Sequence, residues 1–282
     1  MRLDGPESDN VEDRRGQRVS GRGVAVGGGL GTVVIIVIAL LLGVDPGELL
    51  QGQVAAPQSQ VTQRQAAGPQ DDAGRRFIAQ VLGETEEVWR AEFARRGGRY
   101  EDPTLVLFSG ATQSGCGFAQ AQMGPFYCPN DRRVYIDLDF MADLQRRLGA
   151  NGDFAAAYIV AHEVGHHVQN LIGVLGRVDQ ARRGQGEAAS NALQVRVELQ
   201  ADCLAGVWAR RAQETRNILE RGDIEEGLNA AAAVGDDRLQ RAAGRYVSPE
   251  SFTHGTSAQR AGWFRRGLDS GRIEACDTFS GG

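Results

Sequence analysis

The chain has 282 residues, 41 per cent of them hydrophobic, and a formal net charge of −5, which fits one folded domain with appendages or two small domains. The negative balance argues against nucleic acid as the main partner. All 31 basic residues are arginine, so no Schiff-base or P-loop lysine enters any mechanism.

Residues 1–23 are polar and rich in Arg, Asp and Glu, the composition of a disordered tail. Val24 to Val44 then carries no charge and contains the dense apolar block Val33 to Leu42. At about 1.5 Å per residue this run can cross a hydrocarbon core of about 30 Å once, so 24–44 is expected to be a transmembrane helix. Arg14, Arg15, Arg18 and Arg22 precede it, and Asp45 and Glu48 follow. The arginine bias puts the N-terminus in the cytoplasm and everything after the span in the periplasm or outside the cell. A cleaved signal peptide is the competing expectation, with Val54-Ala55-Ala56 downstream, but the long polar leader favours a retained anchor. Residues 45–72, rich in Gln, Ala and Pro from Gln51 onward, read as a linker to a domain over 73–282.

Phe77, Val81, Leu82, Val88, Trp89 and Phe93 recur at helical spacing and predict a helix over 74–96. Residues 104–108 read as a buried strand and 110–124 as a Gly-, Ser- and Gln-rich loop. Strands follow at 126–128 and 134–138, joined through the turn-forming Pro129-Asn130-Asp131. Helices are predicted over 139–148, 153–172, 187–213, 223–234, 236–243 and 257–268. The sum is an α+β domain, mostly helical, with a small antiparallel sheet over the helix at 153–172. Cys116, Cys128, Cys203 and Cys276 are even in number and form no C-x-x-C pair, which suits two disulfides in an oxidising compartment. Three connectivities exist; the local pair Cys116–Cys128 is the most economical and leaves Cys203–Cys276.

His162-Glu163-Val164-Gly165-His166 carries the chemistry. Four residues span a little more than one helical turn, so His162 and His166 share a face and can present two imidazole nitrogens to one Zn²⁺. Glu163 is rotated off that face, where it can act as general base towards a water activated by the ion. Asn151 or Asp153 can cap this helix and Gly173 can stop it. His167 is expected to be a bystander.

A catalytic zinc needs a third protein ligand and an open fourth position. Glu198, on an apolar helix where a carboxylate is costly to bury, is the favoured third ligand, against the bland alternative of a solvated stripe with Arg196, Gln200 and Asp202. Asp202, one turn on, can accept a hydrogen bond from a ligand histidine and fix its tautomer. His254 is the rival third ligand. Gln169 and Ile172 stand where the extended three-histidine motif needs Gly and His, so that motif is absent. His254 precedes a helix containing Arg260; it is expected to hydrogen-bond the oxyanion of an acyl-transfer intermediate, the alternative being an incidental residue of a capping loop.

The order His162-Glu163-x-x-His166, Glu198-x-x-x-Asp202, Thr253-His254 and Arg260 resembles the gluzincin arrangement of membrane-bound heat-shock and prenyl-protein proteases. Cys116-Gly117, Gly124 to Pro129, Tyr135-Ile136-Asp137 and Phe252 to Gly255 resemble more closely the bacterial neutral zinc metallopeptidase family, over nearly the whole chain. The resemblance implies a zincin-like domain with zinc on His162, His166 and Glu198 and Glu163 as base. The expectation is a membrane-anchored peptidase acting on protein or peptide substrates, which the strand at 134–138 could bind by strand addition. The alternatives are a zinc-stabilised binding or assembly module without catalysis and a zinc hydrolase of a non-peptide amide. Substrate, endo- or exopeptidase action, any activator and oligomeric state stay open.

Overall fold

A computed structural model describes residues 1–17, 73–121, 124–141, 152–244 and 246–280. The expected anchor and linker lie outside the described residues. Among those described, no helix is long and apolar enough to cross a membrane.

The first seventeen residues correct the expectation of a disordered tail. Val11–Asp13 forms strand β1, paired in parallel with β2 (Thr104–Phe108) in the register Val11↔Leu105. Arg2 N–H donates to Ile218 O at 2.7 Å, and Ser8 N–H to Ala79 O at 3.0 Å. Ser8 Oγ and Asn10 Nδ2 donate to the buried Glu86 carboxylate at 2.7 and 2.8 Å. A polar stretch read by composition as solvated therefore satisfies a buried charge, since such groups must be hydrogen-bonded.

Helix α1 (Ala73–Arg95) buries Ile78, Val81, Leu82, Val88 and Trp89 at the expected spacing. The loop at 110–124 contains a hairpin, β3 (Ala111–Ser114) and β4 (Gly117–Gln120), which composition did not reveal. It carries the chain past the place where β6 (Arg133–Asp137) later inserts, so β5 (Phe126–Cys128) lies one strand further out. The sheet order is β1-β2-β6-β5. β5 returns into β6 antiparallel, and β6 therefore runs parallel to β2. The sheet is mixed, not antiparallel as expected. Strand addition at 134–138 is also corrected: β6 is paired on both sides, by β2 and β5, and has no free edge. Leu105, Leu107, Val134 and Ile136 face the helical core, whereas Val106, Phe108, Cys128 and Tyr135 form a smaller cluster on the opposite face, the alternation a strand imposes.

Residues 138–141 are helical; the rest of the helix expected over 139–148 lies outside the described residues. Then come α2 (Asp153–Leu171), α3 (Val174–Arg182), α4 (Glu187–Arg216), α5 (Asp223–Ala233), α6 (Asp236–Ala242) and α7 (Ser257–Ser270). α3 was not predicted. Gly173 takes φ 75°, which ends α2 as expected and at once opens α3. The N-cap of α2 is Gly152, with Asp153 already inside the helix and Asn151 outside the described residues, and Glu226 of α5 accepts the Phe154 N–H at 3.2 Å.

α2 packs chiefly against α4, α5 and α1 and meets the sheet mainly at β5 and β6. The metal-motif helix is thus covered mostly by helices, with the inner face of the sheet completing the same core. Two close approaches align its neighbours. A Cβ on Gly165 would stand 3.0 Å from Ala201 O, and Cβ atoms on Gly206 and Gly267 would stand 2.1 and 1.9 Å from Phe264 O and Cys203 O. Glycine therefore brings α2 onto α4 and α4 onto α7 at backbone distance. All four cysteines are paired, Cys116–Cys128 and Cys203–Cys276, as expected.

Candidate metal centre

His162 and His166 project from α2 towards Glu198 of α4. His162 Nε2 lies 3.2 Å and His166 Nε2 3.6 Å from Glu198 Oε2. The three donor atoms lie within 4.8 Å of one another. Tetrahedral zinc with bonds of about 2.0–2.2 Å separates its ligand atoms by about 3.3–3.6 Å, which the two histidine-to-carboxylate separations match. The two rings stand at 87° to each other, 4.7 Å apart, both aimed at the carboxylate.

The charge balance points the same way. Glu163, Glu198 and Asp202 are all buried, against one buried arginine among the described residues, Arg260. Burial disfavours the His162 imidazolium, yet the charge and hydrogen bond of Asp202 and the bond to Glu198 overcome it and lift His162 to about 9. Burial pushes Glu198 up, but the adjacent His166 and the hydrogen bond from His162 hold it well below the usual carboxylate range. These shifts describe a site that demands positive charge.

Each histidine is fixed from behind. His162 Nδ1 lies 2.8 Å from Asp202 Oδ1. Asp202 is fully buried and receives Arg260 Nε and Nη2 at 2.8 Å each, and also the Tyr158 hydroxyl. The carboxylate of Asp202 is thus shared between the ring of His162 and the guanidinium of Arg260. His166 Nδ1 lies 2.8 Å from Gln169 Oε1. Gln169 and Tyr158 escaped the sequence argument, Gln169 having entered it only as a departure from a longer motif.

Glu163 is 7 per cent exposed, and among the described residues no side chain hydrogen-bonds its carboxylate. Burial raises it, His162 and His166 draw it down, and Glu198 pushes it up again, with a net rise. His254 is not among the clustered donors. Its Nδ1 lies 3.1 Å from Asp236 Oδ1, while Asp236 Oδ2 accepts the backbone N–H groups of Thr253, His254 and Gly255 at 2.8, 2.6 and 3.0 Å. Burial disfavours the charged ring, Asp236 and Glu198 favour it, and the balance is upward. Asp236 is a second residue the sequence did not announce. His167 is a bystander in the metal cluster: its Nε2–H donates to Glu101 O at 2.6 Å and its Nδ1 accepts from Tyr127 OH at 3.0 Å, tying α2 to β5.

A cavity of about 680 Å³ lies beside α4 and α7, lined by Val195, Leu199, Phe252, Gln259 and Trp263 among others, but none of the donors opens into it.

The family described as "Putative neutral zinc metallopeptidase" matches residues 1–279. An uncharacterized protein of Escherichia coli (strain K12), YpfJ, is 48% identical over 280 residues, covering 97% of this chain and 96% of that protein. An uncharacterized protein of Mycobacterium tuberculosis (strain ATCC 25618 / H37Rv), Rv2575, is 44% identical over 261 residues, covering 86% and 85%. No solved structure matches. With the match running from the first residue almost to the last, the chain belongs to this neutral zinc metallopeptidase family.

Proposed function

We propose that the protein is a zinc-dependent peptidase in which His162, His166 and Glu198 hold the metal and Glu163 is the general base. The observation that carries this reading is Glu163: a buried carboxylate, free of hydrogen bonds to other described side chains, adjacent to a three-donor set. A purely structural site is closed by four protein ligands and has no use for such a group. That weighs against a zinc-stabilised module without catalysis.

Zinc in this site supplies an electrophile for a carbonyl oxygen and lowers the pKa of a water to about 7. The chain's own residues do the rest. Asp202 and Gln169 hold Nδ1 of the two histidines and so turn each Nε2 towards the ion. Glu163 takes the proton of the attacking water and delivers it to the leaving amine; burial raises its proton affinity above that of a free carboxylate, which suits a group that must take up a proton before passing it on. His254, oriented by Asp236, donates to the oxygen on which negative charge develops. The same groups would serve a non-peptide amide, so substrate class is decided by assay.

The test is the full chain with zinc content measured and cleavage followed on unfolded protein and mixed peptides, beside Glu163→Gln. Stoichiometric zinc in both and turnover only in the unsubstituted chain is the expected result. Peptide cleavage of equal rate in Glu163→Gln would overturn the proposal, as would a chain that takes up no zinc.

A further inference from the structure

The two ligand histidines are held by different means. His162 faces a carboxylate, which can only accept. His166 faces an amide, whose two ends are chemically opposite and must be oriented by something else.

That orientation is determined by a chain of contacts starting at the C-terminal segment. Cys276 O is a carbonyl and accepts only; Gln200 Nε2 lies 3.0 Å from it, so Gln200 presents its NH₂ there and its Oε1 the other way. Gln169 Nε2 lies 3.0 Å from that oxygen and 2.8 Å from Val197 O, a second obligate acceptor. With both acceptors at its amino end, Gln169 turns Oε1 to His166 Nδ1, which must then carry the proton. The lone pair of His166 is left on Nε2, on the side of Glu198. Gln169 is fully buried and Gln200 is 8 per cent exposed, so water does not compete for these bonds. The first link hangs on Cys276, which the disulfide fastens to Cys203 in the same helix as Gln200, Val197 and Glu198.

We propose that Gln169 is the positioning residue that fixes the metal-binding nitrogen of His166, and that the Cys203–Cys276 disulfide holds it in that polarity through Gln200. This rests on the zinc reading above. Residues that orient a ligand histidine in this way change metal affinity by about 10- to 100-fold when lost. The relay also gives the second disulfide a task beyond restricting the unfolded chain: it anchors the carbonyl from which the amide polarity is read.

The experiment measures zinc affinity of the full chain by competition with a chromogenic chelator, for the unsubstituted protein, Gln169→Leu, Gln200→Leu and Cys203→Ser/Cys276→Ser. The metal-free His166 tautomer is read at alkaline pH from imidazole nitrogen shifts. Gln169→Leu is expected to weaken zinc about 10- to 100-fold and to lose the pure Nδ1–H tautomer, with smaller losses of the same kind in Gln200→Leu and the double cysteine variant. A structural role alone would lower stability without moving the tautomer. Affinity within a factor of about two of the unsubstituted chain, with the Nδ1–H tautomer intact, in Gln169→Leu overturns the proposal, the predicted change being at least several times larger. Should Gln169→Leu fail to fold, Gln200→Leu is read by the same criteria. A full chain that binds no zinc at all overturns the peptidase reading itself, an outcome distinct from tight zinc that ignores Gln169.

Discussion

Two trios of ligating side chains lie along α2, one near its middle and one at its start, and they differ in everything except their spacing. His162, His166 and Glu198 are largely enclosed, and Asp202 and Gln169 hold the two rings from behind. Asp153, Asp223 and Glu226 are also close enough to share an ion, but Asp153 is exposed and the Met1 ammonium lies 2.7 Å from it and 3.4 Å from Asp223. An ammonium already offsets part of the charge of that second trio, and an exposed acidic group needs no metal to be tolerated. Proximity of donors is therefore a weak criterion. What separates the two is burial together with partners that orient the donors, because these only make sense if a cation repays the desolvation.

The comparison breaks most directly at the ligands. His162→Ala, His166→Ala and Glu198→Ala should each lose tight zinc, while Glu163→Gln keeps zinc and loses about 10²- to 10⁴-fold in turnover, the contribution expected of a general base. Asp153→Asn should leave zinc content unchanged. Metal analysis of purified variants decides all five, and full zinc in Glu198→Ala would remove that residue from the ligand set.

Asp202→Ala tests the enclosing charges. It strands Arg260, which is 3 per cent exposed, without its carboxylate, and leaving one member of a buried pair costs about 3 to 5 kcal/mol. Denaturant unfolding of the metal-free protein measures this. A loss below about 1 kcal/mol, the range of exposed pairs, would mean the pair is solvated in solution.

His254→Ala should retain zinc and substrate affinity and lower kcat by about 10²- to 10³-fold, as removal of an oxyanion donor does. Loss of zinc would instead make it a ligand. Unchanged kcat with the fold intact would leave it as a residue that only completes the Asp236 loop.

The smallest effect belongs to the trio at the start of α2. Burial disfavours the Met1 ammonium, but the hydrogen bond and charge of Asp153, joined by Asp223, raise its pKa above the usual 8.0. The stability it contributes is fully present below pH 8.0 and is lost as pH rises through the raised value. Unfolding measured across the alkaline range should show that loss, and Asp153→Asn should flatten it, at a cost of a few tenths to about 1 kcal/mol for so exposed a pair. An identical alkaline slope in the variant would show that the amine stabilises nothing.

What the sequence disclosed follows from how far each feature reaches along the chain. The face shared by His162 and His166 is a matter of helical pitch, and a carboxylate at Glu198 within an apolar helix is conspicuous by itself. Both are local. Tyr158 acquires its task from Asp202, Gln169 from Val197 and Gln200, and Asp236 from the loop at Thr253 to Gly255, each across a separation that no local pattern encodes. The sheet failed for the same reason: β2 and β6 were legible as strands, but their parallel sense depends on where β5 is carried by the β3–β4 hairpin. Residues 1–17 were misread because composition weighs charges without knowing that Glu86 waits for Ser8 and Asn10.

The docking of that first segment also bears on topology. Residues 1–17 and the chain from Ala73 onward pack into one body, β1 being a hydrogen-bonded member of the same sheet as β2. A path that departs from and returns to one body traverses any bilayer an even number of times, zero included. As long as β1 stays paired with β2, Met1 and His162 share one side of any membrane, at variance with the single crossing expected of the uncharged run from Val24 to Val44. A cysteine introduced at an exposed position of the first segment should be labelled by an impermeant thiol reagent under the same conditions as one introduced on the exposed surface of α7; opposite labelling would mean that β1 is not paired in the cell.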